Sequence, residues 1–114
     1  MPPPTTAPAP PASPPEGIAA PPIVAAAAVL LKAIAAPARL TIVLELARQE
    51  RCVHELVDLT GMNQPLVSQH LRVLRAAGVV ASRRRGREAA YSLNDDHLAH
   101  IAADAVRHAE ELHR

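Results

Sequence analysis

From position 23 onward, apolar residues recur at helical spacing and are interrupted at only a few points. Ile23 to Ala35 is a run of Ala, Leu, Val and Ile with a single Lys32, which predicts a helix buried on more than one side. Pro37 suits the first turn of a second helix over Ala38–Gln49, with Leu40, Val43, Leu44 and Leu46 facing inward. A short extended stretch, Arg51–Val53, precedes a small helix over His54–Leu59, which Gly61 ends. The next helix opens at Asn63–Gln64, carries Pro65 in its first turn and meets no breaker before Gly78. Val67, Leu71 and Leu74 give it one buried face, leaving Ser68, Gln69, Arg72 and Arg75 to point elsewhere. Val79–Arg84 and Glu88–Leu93 then read as two strands around Arg85-Gly86-Arg87. Asn94 or Asp95 can cap a last helix that runs to Leu112. Two short helices joined through a Gly-containing turn form a helix-turn-helix, and a hairpin behind it makes a winged helix. The predicted fold class is mainly α with one small β-hairpin.

Composition supports that class. Apolar residues are 49% of the 114-residue chain, yet there is no Trp or Phe and only one Tyr. Such aliphatic content suits helices better than a β-sandwich. Of the 12 prolines, 10 fall in the first 22 residues. Residues 1–21 therefore read as a disordered or extended Pro/Ala tail, and residues 22–114 must carry the whole domain. A core that small is marginal alone, and association with a second copy is a common remedy. The single Cys52 excludes a disulfide framework and fits a reducing compartment. No apolar run reaches the ~18 residues of a membrane span, and the first basic residue, Lys32, follows the apolar stretch where a signal peptide would have it first. The expected location is cytoplasmic, with no membrane partner.

Net charge is only +1, but it is unevenly spread. Residues 72–87 hold six arginines and no acid, whereas residues 94–114 hold five acids, two arginines and four of the six histidines. One section is built for a polyanion and the next for a cation. In a helix-turn-helix the second helix enters the major groove, and here it would present Gln64, Ser68, Gln69 and Arg72, with His70 also counted among the DNA-binding residues. Gln pairs with adenine, Arg with guanine, and Ser with base or phosphate. Arg83, Arg84, Arg85 and Arg87 on the hairpin would lie along the DNA backbone or minor groove. An isolated charge run is usually only a solvated surface; this one directly follows a helix-turn-helix, which favours nucleic acid.

Four stretches carry a family resemblance: Leu31-Lys32-Ala33-Ile34-Ala35-Ala36-Pro37-Ala38-Arg39-Leu40, Gln64-Pro65-Leu66-Val67-Ser68-Gln69-His70-Leu71-Arg72-Val73-Leu74, Ala77-Gly78-Val79-Val80 and Arg85-Gly86-Arg87-Glu88. Together they make residues 30–111 resemble the ArsR/SmtB family of metal-responsive repressors. The resemblance implies a homodimer joined through its first and last helices. It also implies that paired recognition helices read an imperfect inverted repeat in double-stranded operator DNA.

The last helix carries imidazoles and carboxylates, the ligands expected for zinc, cobalt or nickel. His97 and His108 are 11 residues apart, so they share a face but stand ~16 Å apart along the axis and cannot hold one ion within one chain. Packed antiparallel on its symmetry mate, the helix would bring Asp95 and His97 beside the His108 and Glu111 of the second copy. This two-plus-two spacing matches the pattern of the family's zinc-sensing members, and the resemblance carries Asp95, His97, His108 and Glu111 over as ligands. His100 and Asp104, four residues apart, form a rival intrahelical pair outside that pattern. The family's other sensing site is a thiolate motif at the start of the helix-turn-helix. Cys52-Val53-His54-Glu55 stands there, so a degenerate second site would rest on Cys52 and His54 alone. The resemblance further implies a hydrogen bond from a metal-bound His108 to a backbone carbonyl near His70, as the link to the recognition helix.

These residues predict a zinc-responsive repressor whose apo dimer binds operator DNA and whose metal-bound form releases it. The alternatives are a Ni²⁺ or Co²⁺ sensor of the same fold and a winged-helix DNA binder indifferent to metal. An enzyme is not expected: there is no Ser-His-Asp set, Gly-rich phosphate loop or HExxH pattern, and little chain remains to wall a substrate pocket.

Overall fold

A computed structural model describes residues 19–114; most of the Pro/Ala tail expected over residues 1–21 lies outside them. The described chain runs α1 (Pro21–Ile34), α2 (Pro37–Arg48), β1 (Arg51–Cys52), α3 (Val53–Thr60), α4 (Gln64–Ala76), β2 (Val80–Arg85), β3 (Glu88–Leu93) and α5 (Asp96–Leu112). This is the winged helix-turn-helix: α3 and α4 form the helix pair, and β2 with β3 form the wing.

Local chemistry explains the boundaries. Pro21 and Pro22 open α1, because a residue without an N–H loses nothing in a first helical turn. The side chain of Asn63 caps α4 by accepting the Leu66 N–H at 2.9 Å. Gly61 ends α3 in the left-handed region, at φ 77°, where any side chain would be strained. A second left-handed glycine, Gly86 at φ 65°, turns the wing.

The extended stretch before α3 does more than connect. It pairs antiparallel with β3, Arg51 opposite Tyr91 and Cys52 opposite Ala90, so the expected hairpin is a three-stranded sheet in the order β1-β3-β2. The start of the helix-turn-helix and the root of the wing are thereby one hydrogen-bonded unit.

Ile42, Val43, Leu56, Val67, Leu71, Leu74 and Val79 are fully buried and form the centre of the core. On α2 the buried residues are Ile42, Val43 and Leu46, whereas Leu40 and Leu44 are only half-buried. The inward face differs from the predicted one because α2 is the hub, touching α1, α3, α4, α5 and β3.

α1 departs furthest from expectation. Only Ala33 and Ile34 at its C-terminal end are buried, while Ile23, Val24 and Val29 are 61%, 53% and 62% exposed. Within one protomer the helix is not buried on several sides, because it packs mainly against α2 and α4. A soluble monomer seldom displays such an apolar face without a partner for it. No single described helix is long and apolar enough to cross a membrane.

Candidate nucleic-acid interface and metal-binding helix

The amphipathic α4 buries Val67, Leu71 and Leu74 and so turns Gln64, Gln69 and Arg72 fully outward, with Ser68 half-buried beside them. These four side chains are the predicted base-reading set, and they lie on the exposed side of the second helix. His70 sits differently. It is half-buried, its Nδ1 has no hydrogen-bond partner among the described residues, and burial, helped by the nearby Arg39 charge, holds its imidazole below the ordinary histidine pKa. It fits a junction between α4 and the core better than a groove contact.

The wing arginines divide into two pairs. Strand alternation puts Arg83 and Arg85 on one face and Arg84 on the other. Arg83 donates from Nε and Nη2 to the two carboxylate oxygens of Glu50, both at 2.7 Å. Arg85 donates from Nη2 to Glu55 at 3.0 Å, approaches Glu50 at 3.8 Å and lies 2.9 Å from the Cys52 sulfur. Glu55 also accepts the Cys52 N–H at 2.7 Å; that bond and Arg85 hold its carboxyl below the usual range. Arg84 and Arg87 have no ion-pair partner among the described residues. All four arginines were expected along DNA; two of them, Arg83 and Arg85, are engaged by acids at the root of the helix-turn-helix while remaining exposed. Their partners are 33 and 30 residues away in sequence, beyond the reach of a local charge count.

Cys52 and His54, the candidates for a second metal site, are engaged separately. The Cys52 thiol is buried, and a guanidinium stands where a metal cation would have to approach the sulfur. A hydrogen bond with Glu88 and burial push its pKa up, against the lowering effect of Arg85, so the metal-binding thiolate is disfavoured. His54 instead meets Glu88 at 2.9 Å, and the two line a cleft of about 330 Å³ together with Gln64.

On α5 the four predicted ligands form two pairs. Asp95 is the N-cap, accepting the Leu98 N–H at 3.3 Å, and the same oxygen is 3.3 Å from His97 Nδ1. One helix end fixes both residues. Near the other end, His108 Nδ1 lies 4.0 Å from Glu111 Oε1. All four side chains are more than half exposed, because Leu98 and Ala102 supply the buried face of the helix. Among the described residues no three His, Cys, Asp or Glu side chains converge within the chain. Each pair brings two nitrogen or oxygen donors together, half the number in a tetrahedral zinc shell. His100 is exposed, and Asp104 pairs with Arg107 at 3.3 Å, which leaves the rival intrahelical pair with a competitor.

Comparison with known proteins identifies the family. Residues 36–82, from the start of α2 into β2, match the model of the bacterial regulatory protein arsR family. The HTH-type transcriptional repressor SmtB of Mycobacterium tuberculosis is 62% identical over 82 residues, which cover 72% of this chain and 61% of the repressor. The chain thus spans less than two thirds of that relative. The HTH-type transcriptional regulator NmtR of the same organism is 43% identical over 83 residues, 73% of this chain and 69% of its own. Among solved structures, the homodimeric winged helix-turn-helix DNA-binding domain of Mb0332 from Mycobacterium bovis matches with a TM-score of 0.71 at 32% identity, covering 78% of this chain and 82% of that one. Fold and family are those of DNA-binding transcriptional regulators, not of enzymes. The chain belongs to the arsR family of bacterial regulatory proteins.

Proposed function

We propose that this protein is a zinc-responsive transcriptional repressor that binds operator DNA as an apo homodimer and leaves it when metal binds between the two α5 helices. The observation that carries the reading is the division of α5 into the half-sites Asp95–His97 and His108–Glu111, on a chain whose α4 exposes Gln64, Gln69 and Arg72. The half-sites are too far apart to cooperate within a chain, and the exposed apolar face of α1 supplies surface for a second copy. Gln64, Ser68, Gln69 and Arg72 would read bases in an imperfect inverted repeat, and Arg84 and Arg87 would contact phosphates.

Zinc, when bound, would tie α5 of one protomer to α5 of the other. Release from DNA follows only if the metal binds the DNA-free arrangement more tightly, a coupling of ~1–3 kcal/mol that must be reciprocal. His70, on α4 and against the core, is the residue whose backbone would receive the second nitrogen of His108. Four oxygen and nitrogen donors favour zinc over Ni²⁺ or Co²⁺ sensing, since six-coordinate ions need donors beyond these four.

The test uses a duplex selected by the apo-protein from a random library, with binding measured with and without Zn²⁺, Ni²⁺ and Cd²⁺. Zinc should weaken binding most. Affinity unchanged by every metal would favour the metal-indifferent DNA binder, and a response to Ni²⁺ alone would favour the six-coordinate sensor.

A further inference from the structure

Four arginines sit on or beside the wing turn, yet two carboxylates from another part of the chain reach them. Glu50 precedes β1, and Glu55 lies in the first turn of α3; neither belongs to the wing. Arg83 crosses β3 to meet Glu50. Its register partner on β3 is Ala90, whose other neighbour is Cys52, so a small buried residue separates the arginine from the β1 side. The crossing uses the whole guanidinium: Nε and Nη2 go to Glu50 at 2.7 Å, and Nη1 reaches the Arg84 carbonyl at 3.4 Å. Arg85 is shared by Glu55 and Glu50.

An exposed ion pair alone is worth little and would yield to a polyanion. This cluster differs in two respects. The Glu50 side chain is only 24% exposed, and its pairing with Arg83 is bidentate, the geometry in which guanidinium–carboxylate contacts are strongest. A carboxylate in this position competes for the same face of the guanidinium that a DNA phosphate would take.

We infer that Glu50 and Glu55 are positioning residues that withhold Arg83 and Arg85 from DNA phosphates, so that the wing delivers only Arg84 and Arg87 to the backbone. The inference rests on the DNA-binding reading above. Sequence-independent affinity grows with the number of phosphates neutralised, each releasing a counterion. Internal carboxylates that occupy two arginines cap that number. They leave more of the discrimination to the exposed face of α4. They also keep total affinity within the range that a modest metal coupling can reverse. The same pairs fix the angle of the wing relative to α3, because they bridge β2 to the segment on the far side of β3.

The experiment measures the apo-protein binding to a mixed-sequence 30-base-pair duplex across a salt series. Glu50→Gln keeps the shape of the side chain and frees Arg83. Its log K against log salt should be steeper than that of the wild type by ~0.9 per subunit, with tighter binding at low salt. Adding Arg83→Gln to that variant should return the wild-type slope. Glu110→Gln, an equal charge change at the far end of α5, should leave the slope where it was. A Glu50→Gln slope equal to wild type would mean that Arg83 already contacts phosphate, and would overturn the inference. So would a double variant that stays steep, or a Glu110→Gln variant that steepens equally, since both would assign the effect to net charge. A wild-type protein that binds no duplex at any salt concentration would overturn the DNA-binding reading along with it.

Discussion

Asp95 Oδ1 accepts the Leu98 N–H and lies 3.3 Å from His97 Nδ1, so the residue that starts α5 is also half of a candidate ligand pair. Helix capping and metal binding make different demands on that side chain and can be separated. Asn caps a helix as well as Asp does but has no charge to offer a cation. Asp95→Asn should keep thermal stability close to wild type while zinc affinity falls. Asp95→Ala should lose both, with ~0.5–2 kcal/mol of stability removed with the cap. Calorimetric melting and zinc titration of the two variants check this; equal zinc affinity in wild type and Asp95→Asn would remove Asp95 from the ligand set.

The outward faces of α4 and the wing should fail in different ways. Arg84→Ala should weaken binding to all duplexes alike and flatten the salt slope by ~1 per subunit. Gln69→Ala should leave the slope unchanged and relax base preference at one position of each half-site, as read by selection from a random duplex library. A Gln69→Ala variant with unaltered preference would take α4 out of the major groove as described.

Burial holds His70 below the ordinary histidine pKa, and the sign of its effect on stability follows. A group with a depressed folded-state pKa contributes stability above its unfolded value, ~6.5, and loses that contribution as pH falls through the folded value. The apo-protein should therefore unfold at lower urea concentration at pH 5.5 than at pH 7.5. His70→Gln should lose less over the same interval. Equal losses in the two proteins would show that His70 is not responsible.

Leu71 is 1% exposed at the centre of the face that α4 lays on the core. Leu71→Ala should cost ~2–5 kcal/mol through lost burial and the cavity left behind, measured by urea unfolding. Because α4 depends on that face for its position, DNA affinity should fall with stability. Loss of affinity without loss of stability would mean that Leu71 acts by another route.

The local elements were legible in the sequence because each has its punctuation in place: Pro37 and Pro65 in first turns, Gly61 after α3, Asn63 and Asp95 as caps, Gly86 in the wing. What the sequence concealed is long-range. Arg51 and Cys52 look like a linker until β3 is seen beside them. Arg83 and Arg85 look like free cations until Glu50 and Glu55 are folded against them. The alternation of β2, which separates Arg84 from its neighbours, was visible in principle; the identity of the acids was not. α1 shows a different limit. Its apolar sequence predicts burial, but within one chain only Ala33 and Ile34 are buried and Leu30 is half-buried against the core. The four ligands on α5 were legible as residue types at a spacing. Their division into two local pairs, with the cap residue Asp95 turned toward His97 and with His108 and Glu111 on one face, was legible too; the distances within each pair required the structure.

The central claim is that each metal site takes Asp95 and His97 from one protomer and His108 and Glu111 from the other, and a mixed dimer tests it most directly. His97→Ala and His108→Ala homodimers should each lack tight zinc sites, because each breaks both. In a tagged heterodimer of the two variants, one site loses both histidines while the other keeps an intact His97 opposite an intact His108. Zinc stoichiometry should therefore recover to one tight ion per dimer. A heterodimer with no tight site, or a His97→Ala homodimer that binds zinc as well as wild type, would contradict the account.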